Sequence, residues 1–297
     1  MVISMDNLIQ APEACAQALS KGHEAVGTTV ILELPASVVL TSQLLHLGNM
    51  EADEGWFKRG GGSTTASNAK KISERRELVI VSALIEHPTE GLILFETGAG
   101  KDYSKNWGAP LNDIFAQANY DPDQELESQI AKTGHEISDV TAVIMGHLHL
   151  DHAGGLEYFR GTDVPIYVHE KELKHAFYSV ASKSDLGVYL PQHLTFDLNW
   201  TPFHGDSLEI AQGLILRHAP GHTPGLCILQ ANLKDSELGF SPQTTSHPQG
   251  WLARDHDDWV RSHQMVRMLQ RRTDARLVLG HCKETFNKYK HAPHAYT

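Results

Sequence analysis

The sequence predicts an α/β protein, a four-layer αββα sandwich with helices on the outer faces of two packed sheets. Three observations predict it. Short apolar runs bounded by turn residues recur in both halves of the chain, segments with helical spacing fall between them, and histidines gather where three of the runs end.

In chain order, strands are expected at residues 29–34, 78–86, 91–95, 140–145 and 164–169, then a helix over 170–180. The second half repeats the pattern with strands at 208–210, 214–217 and 225–230, a helix over 256–271, and a last strand at 276–279. In that helix Trp259, Val260, Met265, Val266, Met268 and Leu269 recur at helical spacing and read as a core stripe. No short-period repeat is visible.

A chain of 297 residues with 41% hydrophobic content builds a sizeable core, and residues 1–297 are read as one domain. The net charge of −11 disfavours a nucleic-acid partner, which needs clustered cations against the phosphates. Cys15, Cys227 and Cys282 are too few and too far apart for a disulfide framework, and Cys227, in an apolar run, reads as a buried thiol. The amino-terminal segment lacks a leader pattern, and no apolar run approaches the roughly 18 residues of a membrane span. The expectation is a cytoplasmic protein with a small-molecule partner, neither nucleic acid nor membrane, of undetermined oligomeric state.

The chemistry is concentrated at Gly146-His147-Leu148-His149-Leu150-Asp151-His152, directly after the apolar run 140–145. His147 and His149, two apart on extended backbone, point the same way, while Asp151 and His152 lie where the chain turns toward a helix near Gly155. Neutral imidazole and carboxylate suit Zn²⁺. Two later strand ends supply the remaining donors. Pro220-Gly221-His222-Thr223-Pro224-Gly225 is a tight turn presenting His222, and Gly280-His281 closes the last strand. His147, His149 and His222 would form one zinc site, and Asp151, His152 and His281 a second beside it.

H-x-H-x-D-H, A-P-G-H-T-P-G and the terminal strand-G-H together resemble the metallo-β-lactamase superfamily, most closely its lactonase-like branch, over residues 27–285. The stretch Phe95-Glu96-Thr97-Gly98 resembles the family's strand-D-T-G turn with Glu in place of Asp, and Glu96 is read as an acceptor for a metal-bound histidine. The resemblance implies hydrolysis of a cyclic ester or amide, a lactone or lactam, by a zinc-activated water, with Asp151 orienting the water as well as binding metal. No G-x-S-x-G elbow offers a serine route.

One departure bears on the second metal. The family's bridging Asp, which holds both ions, falls at Thr244, within a stretch that has no carboxylate there and lacks the tyrosine that often follows. Either Asp235, His247 or Asp255 substitutes, or a single metal binds, or the chain does not hold two ions. None of the three residues is adopted as a ligand, Asp255 reading instead as the cap of the helix that follows. Up to two zinc ions are expected, with the second site weakened.

Residues 48–69 stand apart as an aromatic loop followed by a glycine run, and Trp56 and Phe57 are read either as a wall of the substrate pocket or as a seal on the sandwich edge. His46, His169 and His218 are read as solvent-facing or supporting residues, and Cys282 as pointing away from the metal. Two rival functions remain. A thioester hydrolase of the glyoxalase II type uses the same ligands but adds a basic carboxyl-terminal region that this chain lacks; the other rival is a binding protein of the same fold impaired in catalysis.

Overall fold

The computed structural model describes residues 30–35 as backbone, and 39–70, 73–185, 187–233 and 250–297. Its strands are β1 (Val30–Pro35), β2 (Thr41–Asp53), β3 (Arg75–His87), β4 (Gly91–Phe95), β5 (Ala116–Ala118), β6 (Val140–Ile144) and β7 (Ile166–His169). They continue with β8 (Trp200–Phe203), β9 (Ser207–Ala211), β10 (Leu214–His218), β11 (Cys227–Leu233), β12 (Leu277–Leu279) and β13 (Ala295–Tyr296). Among the described residues these make a five-stranded sheet, β12-β1-β11-β10-β9, and an eight-stranded sheet, β13-β2-β3-β4-β6-β7-β8 with β5 paired to β2.

Alternating side chains decide which space each strand fills. Leu45, Leu84 and Leu94 point to the helix-covered face of the larger sheet, while their neighbours Leu44, Ile85 and Ile93 point between the sheets. There they meet Leu214, Leu216 and Leu229 of the smaller sheet. The outer face of that sheet places Ile228 and Leu279 against Val266 of the helix His256–Thr273. The layers therefore run helix, sheet, sheet, helix, as the sequence predicts. Strand β6 is buried and apolar at every position except the exposed Thr141 near its start, as expected of a strand covered on both faces.

Strands β4, β6, β7 and β8 run parallel, so their carboxyl ends emerge along one edge. That edge is where the candidate chemistry lies. Glu96 follows β4, the histidine motif follows β6, and turns after β10 and β12 of the other sheet bring His222 and His281 toward it.

Several expectations are corrected. Residues 48–53 belong to the long strand β2 and not to a loop, with a register shift between His46 and Asn49; the chain then forms the short helix Glu54–Phe57. The helix expected near Gly155 is a 3-10 segment, Gly154–Phe159. The stripe on His256–Thr273 is narrower than its spacing suggests: Val266 is buried with Met265 and Leu269 against it, but Met268 is 43% exposed. No helix among the described residues is long and apolar enough to cross a membrane.

One buried histidine ties stability to pH. His193, in the 3-10 turn Pro191–His193, is 6% exposed, and burial holds its imidazole down to about 4 although Asp151 opposes the shift. The unfolded chain takes up this proton near 6.5, which the folded protein refuses, so stability is lost as pH falls from about 6.5 to about 4. Replacing His193 with Leu is expected to reduce the acid slope of the unfolding free energy by up to about 1.4 kcal/mol per pH unit in that window. Denaturant titrations across it check this, and an unaltered slope contradicts it.

Candidate metal centre

The histidine motif is locked on several sides. Beyond β6, Met145 N–H donates to Tyr167 O (2.8 Å), Gly146 N–H to the Glu96 carboxylate (2.8 Å), and Cys227 N–H to Gly146 O (2.8 Å). Gly146 is a packing requirement, since a Cβ there would lie 2.3 Å from Glu96 Oε1. The Thr97 N–H and hydroxyl both donate to His152 O (3.0 and 2.7 Å), so the turn after β4 holds the end of the motif.

The six predicted donors are buried side by side, from His147 at 1% exposed to His281 at 8%. Donor atoms of His147, His149 and His222 lie within 4.8 Å of one another, as do those of Asp151, His152 and His281. The two groups meet where the His147 and His152 rings approach to 4.0 Å between centroids. In the first group His149 Nδ1 faces His222 Nε2 at 3.1 Å. In the second, His281 Nε2 stands 3.1 Å from both His152 Nε2 and Asp151 Oδ2, and the last two are 3.4 Å apart.

Supporting hydrogen bonds aim these atoms. His281 Nδ1 donates to Val79 O (3.0 Å), which leaves the Nε2 lone pair of the neutral ring facing Asp151. His152 Nδ1 meets Glu96 Oε2 at 3.1 Å and so turns its Nε2 the same way. Three acceptors thus converge on one point, an arrangement that a proton or a cation satisfies.

The electrostatics agree. Burial penalises the charged form of Asp151, but the facing His152 and His281 hold its carboxyl well below the usual range. Burial also opposes charge on His152, yet Asp151 and Glu96 raise it to about 10, so these carboxylates favour a positive charge at that point. In the first group, burial and the neighbouring imidazoles push His147 and His149 well below 6.5, leaving neutral rings with available lone pairs. Both ring nitrogens of His147 and Nε2 of His149 are buried with no hydrogen-bond partner among the described residues, a cost that a bound metal would remove. Neutral imidazoles with one carboxylate suit zinc.

Above the donors lies a cavity walled by Met50, Phe57, Leu78, Phe115, Val188 and Leu252, with Asp151 the one carboxylate on its lining among the described residues. Phe57 reaches this wall. Trp56 is not on this lining; its ring packs against Phe115, which is, at 5.6 Å between centroids.

His46, His169 and His218 join none of the metal-competent groups among the described residues. His169 is not solvent-facing: it is 2% exposed, stacks on His218 at 4.0 Å and caps the helix Glu170–Ser182. Cys227 is buried, Cys282 turns its thiol to the Thr285 hydroxyl, and Asp255 caps the helix at 256 by accepting from Asp258 N–H. Cys15, Asp235, Thr244 and His247 lie outside the described residues. Sequence reading missed Glu172, Tyr189 and Leu252. Glu172 sits in a charged helical start, and nothing in its neighbours marks it as buried.

The metallo-beta-lactamase superfamily profile matches residues 75–281. An N-acyl homoserine lactonase from Bacillus sp is 36% identical over 140 residues, 46% of this chain and 52% of that protein, so the chain spans about half the length of this relative. The N-acyl homoserine lactonase AttM of Rhizobium radiobacter is 29% identical over 240 residues, 74% of this chain and 88% of AttM. Among solved structures, an N-acyl homoserine lactone hydrolase with N-hexanoyl-L-homoserine at its catalytic metal centre superposes with a TM-score of 0.70 at 20% identity, covering 88% of this chain and 100% of that one. AidC, a dizinc quorum-quenching lactonase, gives 0.53 at 15% identity, covering 82% and 88%. By its profile, which spans the strands and turns that carry all six donors, the chain belongs to the metallo-beta-lactamase superfamily.

Proposed function

We propose that this protein is a zinc-dependent hydrolase that opens a lactone ring, with N-acyl homoserine lactones as the substrate class. The observation that carries the reading is the pair of adjacent three-donor groups, His147, His149, His222 and Asp151, His152, His281, on the floor of an apolar cavity. The relatives' names point to the ester over the amide, and the apolar wall suits an acyl chain.

Zinc, when bound by these donors, supplies Lewis acidity that makes a hydroxide nucleophile available near neutral pH and polarises the ester carbonyl. The protein's own groups do the rest. Asp151, a carboxylate on the cavity lining, accepts a hydrogen bond from the nucleophile and orients it, and the nucleophile's proton passes to the ring oxygen as the C–O bond breaks. Glu96 holds the His152 ring with Nε2 forward, and Met50, Phe57 and Leu252 exclude bulk water from the carbonyl. The resemblance aligns the family's bridging carboxylate with Thr244; with no carboxylate there to offset repulsion between two cations, the Asp151 group would bind its metal more weakly.

The test is incubation of the zinc-loaded protein with N-hexanoyl homoserine lactone, with the opened acid identified by mass spectrometry. Turnover of a glutathione thioester in place of the lactone would favour the glyoxalase II type, and lactone binding without turnover an impaired binding protein. Phe57→Ala is expected to raise KM for long-chain lactones about 10-fold with a smaller change in kcat, because a pocket wall supplies binding shared by ground and transition states. Trp56→Ala, one layer back, should raise KM less. Steady-state kinetics over a chain-length series check both, and an unchanged KM with a lowered Tm would leave Phe57 a packing role alone.

A further inference from the structure

We propose that Glu172 is a positioning residue for the three-histidine group, its carboxylate fixing the His147–His149 segment and the His222 turn relative to each other. Glu172 lies in the first turn of the helix Glu170–Ser182 and is 0% exposed. Four donors converge on it. Oε1 accepts from Leu148 N–H (3.0 Å) and the Tyr189 hydroxyl (3.0 Å); Oε2 accepts from the Thr223 hydroxyl (2.5 Å) and Gly225 N–H (3.2 Å).

The sequence positions of these donors give the arrangement its meaning. Leu148 sits between His147 and His149, and Thr223 follows His222, so one side chain is tied within one residue of all three imidazoles. The two segments leave different sheets, His147 and His149 after β6 of the larger and His222 after β10 of the smaller. Pairing within either sheet alone does not set the distance between them. Glu172 spans that gap, and Tyr189 extends the hold by placing its ring against the edge of His149 at 4.8 Å between centroids. Gly225 lets the turn close on the helix, since a Cβ there would lie 2.1 Å from Glu172 N.

Each carboxylate oxygen meets one backbone N–H that can only donate, Leu148 on Oε1 and Gly225 on Oε2, and one hydroxyl. A glutamine amide of the same shape would turn its NH₂ toward one of these N–H groups whichever way it is flipped, whereas a carboxylate accepts from both. Burying a carboxylate is costly, and purely apolar packing would stabilise the helix equally well, so four convergent bonds next to the donor group point to a requirement for geometry.

This inference rests on the metal-centre reading and is tested by zinc affinity, measured by competition with a chromophoric chelator at a temperature where circular dichroism shows the metal-free proteins folded. Glu172→Gln is expected to weaken zinc binding about 10- to 100-fold, the range for residues that orient metal ligands. Thr223→Val and Tyr189→Phe, each removing one donor, should weaken it by a smaller factor, and they decide the matter if the glutamine variant does not fold. A Kd within twofold of the parent in the folded variants, with only the metal-free Tm lowered, overturns the inference and leaves the metal-centre reading intact. A parent that binds no zinc overturns both.

Discussion

His149→Ala and His222→Ala are each expected to lower kcat/KM for a lactone by about 10³ or more, a loss of several kcal/mol in transition-state stabilisation. Each removes one of three neutral nitrogen donors in the group where His149 Nδ1 and His222 Nε2 stand 3.1 Å apart. Two donors hold zinc poorly. The loss should appear in metal content as well as in rate, so zinc per chain by plasma emission spectrometry is measured beside the kinetics. A His149→Ala protein with undiminished zinc and turnover would remove this histidine from the account.

Gly154→Ala is expected to destabilise the fold by about 3 kcal/mol or more, because the added methyl has no flexible neighbour to displace. An ideal Cβ on Gly154 falls 2.0 Å from Ala99 O and 2.5 Å from Gly100 N, both backbone atoms of the turn after β4. That turn also holds Thr97 on His152 and receives Gly154 N–H at Gly98 O (2.8 Å). Forcing it outward therefore strains the second donor group along with the fold. Thermal unfolding should show a Tm drop on the order of 5–10 °C. A Tm within a degree or two of the parent's would mean that the turn yields cheaply.

The donors were legible in the sequence because their spacing is short and their strands announce themselves. Strand β6 is a short run interrupted only by Thr141, and the H-x-H-x-D-H follows closely after it; the Pro and Gly residues around His222 mark a turn by their own backbone preferences. Strand β2 was not legible. Its two buried faces include the polar Ser42, Gln43 and Asn49, and the register shift at His46/Asn49 breaks the alternation, leaving neither period to read. The aromatic pair was half legible: a helix of four residues turns Phe57 to the cavity and Trp56 behind it, a choice made by the 3.6-residue period and the fit against Phe115. Glu172 was hidden for a further reason. Its partners Leu148, Tyr189, Thr223 and Gly225 are scattered in the chain, and only tertiary packing brings them together.

The central claim is that these donors hold catalytic zinc for lactone opening, and one preparation tests it most directly. Zinc-loaded protein is dialysed against a mild chelator, metal per chain is counted, and N-acyl homoserine lactone turnover is followed before dialysis, after complete metal removal and after zinc is restored. The account predicts fewer than two tightly held equivalents, with the His147, His149 and His222 group filled first, and turnover that disappears with the metal and returns with it. Two zinc ions surviving dialysis would show that another ligand strengthens the second site. Hydrolysis that persists in the metal-free protein, or a fully loaded protein that leaves the lactone intact, would contradict the claim itself.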